Sequence, residues 1–429
     1  MTITTKELPQ VEFGLLGRTL GHSWSPRIHT MLGSSPYDLV ELEPEYVEAF
    51  VRTGKWRGLN VTIPYKQTVV PLADEVSERV RRLRAANTLV RRDDGSILAE
   101  NTDVLGFSWQ LECFCEKHFG CAAIETLSGR KALVLGSGGA SKAVSMVLSD
   151  LGAQVVIISR RGPETYDTLT ERHADAFFLV NTTPVGMYPH CPASPLPLET
   201  LAALSALRGI IDVVYNPIRT GLMLAADRIG IPSESGLSML VGQALHSSML
   251  FQNVSLDPAL ASIIEQTLRK ETTNVALIGM PGAGKTSAGR ALAHLIGRPF
   301  IDLDDAFELH YDMSAAECIR AHGEAHFRQL ETEVLADYGT RSGIIMACGG
   351  GVVTQERNYD LLRQNSTIVM LDRPLDELSQ DGRPVSQAKG IERLAQERMG
   401  FYHAWADVVI SCTGSAAGDA TEIRAILEL

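Results

Sequence analysis

Apolar residues along the chain gather into short blocks separated by longer polar or amphipathic stretches, the pattern of strands alternating with helices. The blocks VEFGLLG (11–17), DLVELE (38–43), GLNVTIP (58–64) and NTLVRR (87–92) predict strands of a first α/β region running to about residue 112. KALVLG (131–136), QVVIISRR (154–161), AFFLVNTTP (176–184) and GIIDVVYNP (209–217) alternate with helical segments and predict a parallel, doubly wound sheet. Residues 235–268 carry apolar positions at helical spacing and are expected to pack back on the first region. The polar stretch TLRKETTN (267–274) reads as a short connector to a last α/β unit, which opens with the strand NVALIG.

Two apolar strands run straight into a glycine-rich turn and a helix of small residues. In NVALIGMPGAGKTSAGRALAHLIG (274–297) the turn fits the GxxxxGK[ST] pattern, with the strand before and the helix after that the pattern requires. Backbone N–H groups around Gly279, Gly282, Ala283, Gly284 and Ser287 are expected to cradle phosphates. Lys285 would reach the β and γ phosphates of ATP, and Thr286 would offer a hydroxyl to Mg2+. The later strand GIIMACGGG ends at Cys348 and lacks the aspartate that usually holds such a metal, so another carboxylate must serve. FIDLDDAFE offers Asp302 and Asp304, two apart and therefore on one side of a strand end; taken alone, they read better as solvated turn carboxylates.

The other turn, in KALVLGSGGASKAVSMVLSDLG (131–152), is a looser dinucleotide fingerprint around Gly136, Gly138, Gly139 and Ala140. The next strand ends in Ser159, Arg160 and Arg161, where an NAD enzyme would place an acid for the ribose hydroxyls; arginines there favour the 2′-phosphate of NADP.

Composition narrows the partners. The 429 residues are 45% hydrophobic and 21% charged, which excludes a disordered chain and leaves room for two to four domains at about 100 to 200 residues each. A net charge of −12 argues against nucleic acid and anionic membranes, so an anionic substrate needs local basic residues. No apolar run approaches the roughly 18 residues of a membrane span, and MTITTKELPQ is too polar for a signal peptide, so the expected location is the cytoplasm. The seven cysteines show no CxxC spacing and read as thiols. Cys113, Cys115, His118 and Cys121 hold four potential zinc ligands, but one short segment rarely closes a tetrahedral site.

Beyond the phosphate loop, GEAHFRQLE (323–331), the glycine triplet, GRPV (382–385) and RMGFYHAWADVVI (398–410) follow in an order that resembles the shikimate kinases over 274–412. The resemblance implies that Asp304, Arg328, Gly349, Gly350, Gly351 and Arg398 bind shikimate, with Asp304 acting on the attacking hydroxyl. It implies further that Arg383 is a lid arginine closing over ATP, and that Asp302 joins Thr286 at Mg2+. Arginine forks suit a carboxylate bidentately. The lid stretch is shorter than is usual in that family.

GLLGRTLGHSWSPRIH (14–29), NVTIPYK (60–66), AANTL (85–89), NTDVLGF (101–107), NTTPVGM (181–187), DVVYNP (212–217) and GLSMLVGQA (236–244) resemble the shikimate dehydrogenases. This implies that Ser23, Ser25, Asn60, Thr62, Asn87 and Gln243 bind the hydroxy acid, with Tyr215 nearby, and that Lys66 and Asp103 are the catalytic pair. The two serines are equally placed to cap the helix begun by SPRIHTML. Two departures stand out: the chain between Arg161 and Asn181 is short enough to lose a strand and helix, and SSMLFQN replaces the usual aromatic tail after GQALH.

Together these imply α/β structure throughout: a substrate-binding domain (1–112, completed by 235–268), an NADP-binding Rossmann-like domain (113–234) and a P-loop kinase domain with a parallel sheet (269–429). The function implied is NADPH-dependent reduction of 3-dehydroshikimate followed by phosphorylation of shikimate by ATP, with small-molecule substrates and neither nucleic acid nor membrane as partners. Two rivals are an NAD-linked quinate/shikimate dehydrogenase, which Arg160 and Arg161 disfavour, and a chain in which one half is a non-catalytic regulatory module.

Overall fold

A computed structural model describes residues 8–21, 23–378 and 390–429. The chain forms two compact units. One comprises residues 1–184, 195–215 and 225–267, and the other residues 185–194, 216–224 and 268–429.

The first unit holds two sheets. In the first, β1 (Phe13–Gly17), β2 (Tyr37–Glu41), β3 (Gly58–Val61), β4 (Glu75–Val76), β5 (Thr88–Arg91) and β6 (Ile97–Glu100) take the order β2-β1-β3-β5-β6-β4. β1 lies parallel to β2 and β3, whereas β5 is antiparallel to both β3 and β6. All four predicted blocks are strands; β4 and β6 are additional, too short or too mixed in polarity to stand out in sequence.

The second sheet, entirely parallel, joins β7 (Lys131–Leu135), β8 (Gln154–Ile158), β9 (Phe178–Asn181), β10 (Gly209–Asp212) and β11 (Ser233–Ser235) in the order β11-β10-β9-β7-β8. β7 and β9 bury nearly every residue because helices cover both faces of such a sheet. A full doubly wound sheet would carry one more strand beyond β8. Here the short chain after Arg161 supplies only a turn and the helix Leu169–His173, so β8 is the sheet edge.

Helices then bring distant residues together. α1 (Ser25–Met31) follows β1, α2 (Asp103–Phe119) follows β6, α3 (Gly139–Asp150) follows β7, and α4 (Leu237–Gln252) returns from the second sheet to pack on α1, α2, β3 and β5. α4 accounts for residues 237–252 of the stretch 235–268. The α2–α4 contact is close because it is made by glycines: a Cβ on Gly106 would lie 2.5 Å from the Met239 carbonyl oxygen, and one on Gly242 3.1 Å from the Gly106 Cα.

The second unit contains a parallel sheet of β12 (Asn274–Ile278), β13 (Phe300–Asp302), β14 (Ile345–Ala347), β15 (Ser366–Asp372) and β16 (Val408–Ser411), ordered β13-β14-β12-β15-β16. Around it lie α5 (Lys285–Ile296), α6 (Leu303–Tyr311), α7 (Glu324–Gly339) and α8 (Ile391–Trp405). The segment 216–224 belongs to this unit through specific bonds. Ile218 N donates to Asn365 Oδ1 at 3.0 Å, Arg219 N to the Gln364 carbonyl at 2.9 Å, and the Arg219 guanidinium to the Arg363 carbonyl at 2.9 Å.

The stretch TLRKETTN is helical for most of its length: the helix Ala259–Thr272 runs through it, leaving Thr273 alone before β12. One local expectation needs correction. The strand argument for Asp302 and Asp304 fails, because the chain turns helical at Leu303. Asp302 is the N-cap of α6 and its Oδ1 accepts from Asp304 N at 3.0 Å, so the pair meets by helix capping.

Candidate active sites

A cavity of about 230 Å³ in the first unit is lined by Ser23, Ser25, Asn60, Thr62, Lys66, Asn87, Asp103, Tyr215 and Gln243. Every residue expected at the hydroxy-acid site therefore meets there, from six separate stretches of chain. Lys66 stands in the turn after β3, and Asp103 opens α2. The Lys66 ammonium donates to Asp103 Oδ2 at 2.6 Å, with side chains 22% and 12% exposed, so the pair faces the cavity rather than bulk water. Asn87 Nδ2 holds the other oxygen, Asp103 Oδ1, at 2.9 Å and reaches Gln243 Oε1 at 3.2 Å; Thr102 N fixes Asn87 Oδ1 at 2.7 Å. The close α2–α4 packing brings Gln243 to the same Asn87 carboxamide that holds Asp103.

The serines do not act as the N-cap of α1, which is Trp24. Ser23 Oγ accepts from Ser25 N at 3.3 Å and donates to Ser25 Oγ at 3.1 Å, and both residues line the cavity. Tyr215 packs its ring on Trp24, 5.1 Å between centroids, and burial raises its phenol above the usual value. Sequence reasoning missed the apolar wall of Leu15, Val61, Val213, Met239 and Leu240, whose hydrophobic character carries no chemical signal.

Ala140, expected at the cofactor, also lines this cavity. A second cleft, about 450 Å³, is lined by Ser137, Ser159, Arg160 and Arg161. Gly136 adopts φ +101°, a conformation favouring glycine, and Gly138 caps α3, whose first residue is Gly139. The loop thus directs a helix N-terminus and two guanidinium-bearing residues to the C-terminal end of β7 and β8, where doubly wound sheets bind ligands.

In the second unit a cleft of about 510 Å³ gathers Gly282, Gly284, Lys285, Thr286, Ser287, Asp302, Asp304, Arg328, Gly349, Gly350, Gly351 and Arg398. Gly279, Gly282 and Gly284 have positive φ, and α5 starts at Lys285, which donates to the Gly279 and Met280 carbonyls at 2.9 and 3.0 Å. Gly279 and Ala283 shape the loop without lining the cleft; Ala283 is fully buried. Arg383 lies outside the described residues.

Thr286 Oγ1 donates to Asp302 Oδ2 at 2.6 Å. A hydroxyl and a carboxylate are hard oxygen donors, and a site of few protein ligands suits Mg2+, which keeps several waters. The Asp304 carboxyl is raised above the usual range, first by burial and then by Asp302, against the pull of Lys285 and Arg328.

Arg328 is clamped by Glu331 at 2.7 Å and Glu324 at 3.2 Å, while Arg398 donates to the Gly350 carbonyl at 3.0 Å. Each guanidinium retains a buried Nε with no hydrogen-bond partner among the described residues. The glycine triplet is steric: a Cβ on Gly351 would fall 2.1 Å from the Arg328 guanidinium and one on Gly349 2.7 Å from Glu331 Oε1. Sequence reading passed over Glu331, whose carboxyl burial raises; its place one helical turn after Arg328 is the signal that was there.

Cys113 and Cys115 sit in α2, Cys115 buried, and His118 Nε2 faces Glu234 at 3.2 Å. Among the described residues, no three His, Cys, Asp or Glu side chains gather to hold a metal, and no helix is long and apolar enough to cross a membrane.

Residues 15–89 match the family model of the shikimate dehydrogenase substrate binding domain, and residues 281–428 that of shikimate kinase. Over 271 residues, 57% of the chain, it is 36% identical to a shikimate dehydrogenase (NADP(+)) of Caldicellulosiruptor bescii, covering 90% of that protein. The chain belongs to the shikimate dehydrogenase family. Unlike a stand-alone shikimate dehydrogenase it continues into a shikimate kinase domain and is a fusion. A solved chorismate mutase/shikimate 5-dehydrogenase fusion from Clostridium acetobutylicum is 31% identical, with TM-score 0.54 over 61% of this chain and 98% of that one. Shikimate 5-dehydrogenase from Thermus thermophilus, solved with NADP(H) and shikimate, is 27% identical, with TM-score 0.50 over 60% of this chain and 99% of that one.

Proposed function

We propose that this bifunctional shikimate-pathway enzyme reduces 3-dehydroshikimate with NADPH in the first unit and phosphorylates the resulting shikimate with ATP in the second. The observation that carries the first step is the Lys66–Asp103 pair, 2.6 Å apart in a cavity lined by hydroxyl and carboxamide groups. NADPH supplies the hydride. As the ketone oxygen gains charge, the Lys66 ammonium donates a hydrogen bond and then a proton to it, while Asp103 holds the ammonium in line. Ser23, Ser25 and Thr62 donate to the substrate carboxylate; Asn87, Gln243, Asn60 and Tyr215 fix the ring. Arg160 and Arg161, with Ser159, take the cofactor 2′-phosphate.

In the second unit ATP supplies the phosphoryl group. Asp304 accepts the proton of the attacking hydroxyl, a role its raised carboxyl suits. Arg328 and Arg398 hold the shikimate carboxylate, Lys285 and the loop amides hold the phosphates, and Thr286 with Asp302 would hold Mg2+, which neutralises phosphate charge. Both reactions draw on cytoplasmic NADPH and ATP, and we place the protein in the cytoplasm.

The test is to incubate the full chain with 3-dehydroshikimate, NADPH and ATP, following NADPH absorbance and phosphorylated product together. Both signals are expected. Lys66→Ala should cut reduction about 10²- to 10⁴-fold and leave phosphorylation of added shikimate unchanged. A variant reducing within threefold of wild type would remove Lys66 from the reaction.

A further inference from the structure

Ser247, fully buried, lies one helical turn after Gln243 on α4, so both side chains leave the helix on one face. Its Oγ donates to the Gln243 carbonyl at 2.9 Å, accepts from Asn60 Nδ2 at 2.8 Å, and lies 3.0 Å from Thr102 Oγ1 and 3.1 Å from Thr88 Oγ1. One hydroxyl thereby ties α4 to β3, β5 and the start of α2. On the opposite side of Asn60, the Tyr37 hydroxyl donates to Asn60 Oδ1 at 2.8 Å. The Tyr37 ring is stacked on His29 at 4.0 Å, and burial raises its phenol well above the ordinary value, so it stays a donor.

These contacts settle the Asn60 carboxamide. Its NH2 also faces the Asn87 carbonyl at 3.3 Å, an oxygen that can only accept, which excludes the flipped amide. Both amide hydrogens are committed inward to Ser247, Thr88 and the Asn87 carbonyl, and one lone pair of Oδ1 is committed to Tyr37. A substrate group meeting Asn60 in the cavity can therefore only donate to it.

We propose that Ser247 and Tyr37 are positioning residues of the dehydrogenase site, which lock Asn60 as a hydrogen-bond acceptor for a hydroxyl of the substrate. This rests on the reading that the cavity binds 3-dehydroshikimate and shikimate. A neutral carboxamide that accepts but cannot donate favours a ring hydroxyl over a carbonyl or carboxylate oxygen at that point, so the lock orients the ring as well as binding it.

The test uses the full chain, with Ser247→Ala, Tyr37→Phe, Asn60→Ala and the doubles of each of the first two with Asn60→Ala. Shikimate oxidation with NADP+ gives KM and kcat, phosphorylation of shikimate serves as internal control, and thermal unfolding is followed in parallel. Loss of one neutral hydrogen bond is expected to raise the KM for shikimate about three- to tenfold in each single variant, with the KM for NADP+ and the phosphorylation rate unchanged. In the Asn60→Ala background, Ser247→Ala and Tyr37→Phe should add nothing further, because the group they act through is gone. Single variants with an unaltered KM, or effects that multiply undiminished on Asn60→Ala, would overturn the proposal. Tyr37→Phe keeps the stacked ring, so it decides the matter even if Ser247→Ala fails to fold. A wild-type chain that shows no shikimate-dependent reduction of NADP+ would overturn the reading of the cavity and this inference together.

Discussion

Arg160 is exposed at the end of β8 in a cleft shared with Arg161, Ser137 and Ser159, a setting in which a guanidinium has little to do for folding. Arg160→Ala should raise the KM for NADPH about ten- to a hundredfold, the loss of a charge-assisted contact, while changing that for NADH little. Steady-state kinetics with both cofactors decides this, and equal effects would remove Arg160 from the 2′-phosphate. At Asp304 the direction of the shift sets a pH dependence. The base must be ionised to work and its carboxyl is raised, so phosphorylation should fail on acidification at a higher pH than an ordinary carboxylate would dictate. A kcat/KM profile whose acid limb falls near the usual carboxylate value of about 4 would contradict it. His29 works on stability instead: burial lowers its pKa to about 3, so below about pH 6.5 the unfolded chain takes a proton that the folded chain refuses. Between pH 6.5 and 5 that difference should cost the first unit on the order of 2 kcal/mol, visible in urea unfolding and absent in His29→Gln. Residues such as Lys66 or Arg328 were legible because each sits inside a run of several characteristic residues. Tyr37 and Ser247 were not, since what they do depends on Asn60, 23 and 187 positions away respectively.

Elements set how closely those residues meet. The crossing of α2 and α4 at Gly106 and Gly242 is a close helix packing beside the first cavity, and it sets the spacing of Asp103 on α2 from Gln243 on α4. Gly106→Val would drive a side chain into the Met239 carbonyl and the Gln243 amide nitrogen, so the helices must part. Expected losses are about 1 to 3 kcal/mol of stability in the first unit and most of the reductase rate, with phosphorylation retained; chemical unfolding and the two assays report each. Wild-type reduction in that variant would show the spacing to be irrelevant. The strands were legible where an apolar block was bounded by turn residues, as in KALVLG. They were not where the period changed within a few residues: Phe300–Asp302 is strand and Leu303 onward is helix, so a rule of alternation carried past Asp302 gave the right neighbours for the wrong reason.

At the scale of the whole molecule, the second unit is assembled from three stretches of chain, because 185–194 and 216–224 belong to it along with 268–429. A fragment starting at residue 271 would lack the partners of Asn365 Oδ1 and of the Arg363 and Gln364 carbonyls. Its phosphorylating activity should therefore be lost at lower urea concentration than that of the full chain. Arg219→Ala in the full chain should reproduce part of the shift, about 1.5 to 3 kcal/mol for hydrogen bonds made by a charged group. Coincident midpoints for fragment and full chain would show that the two short segments contribute nothing to the unit. Sequence motifs could not reveal this membership, since NPIRT reads as an ordinary turn and its partners are backbone carbonyls without a side-chain signature.

The same arrangement puts a clock on biosynthesis. Ile218 is made 147 residues before its partner Asn365 (365 − 218 = 147), and at about 5 to 20 residues per second the ribosome needs roughly 7 to 30 seconds to cover that distance. Through that interval Ile218 and Arg219 wait with their eventual acceptors not yet translated, while the strands on either side of them can pair once both have emerged. A nascent chain paused before residue 363 should therefore carry a protease-sensitive site at Arg219 that closes once the β15 strand has been added.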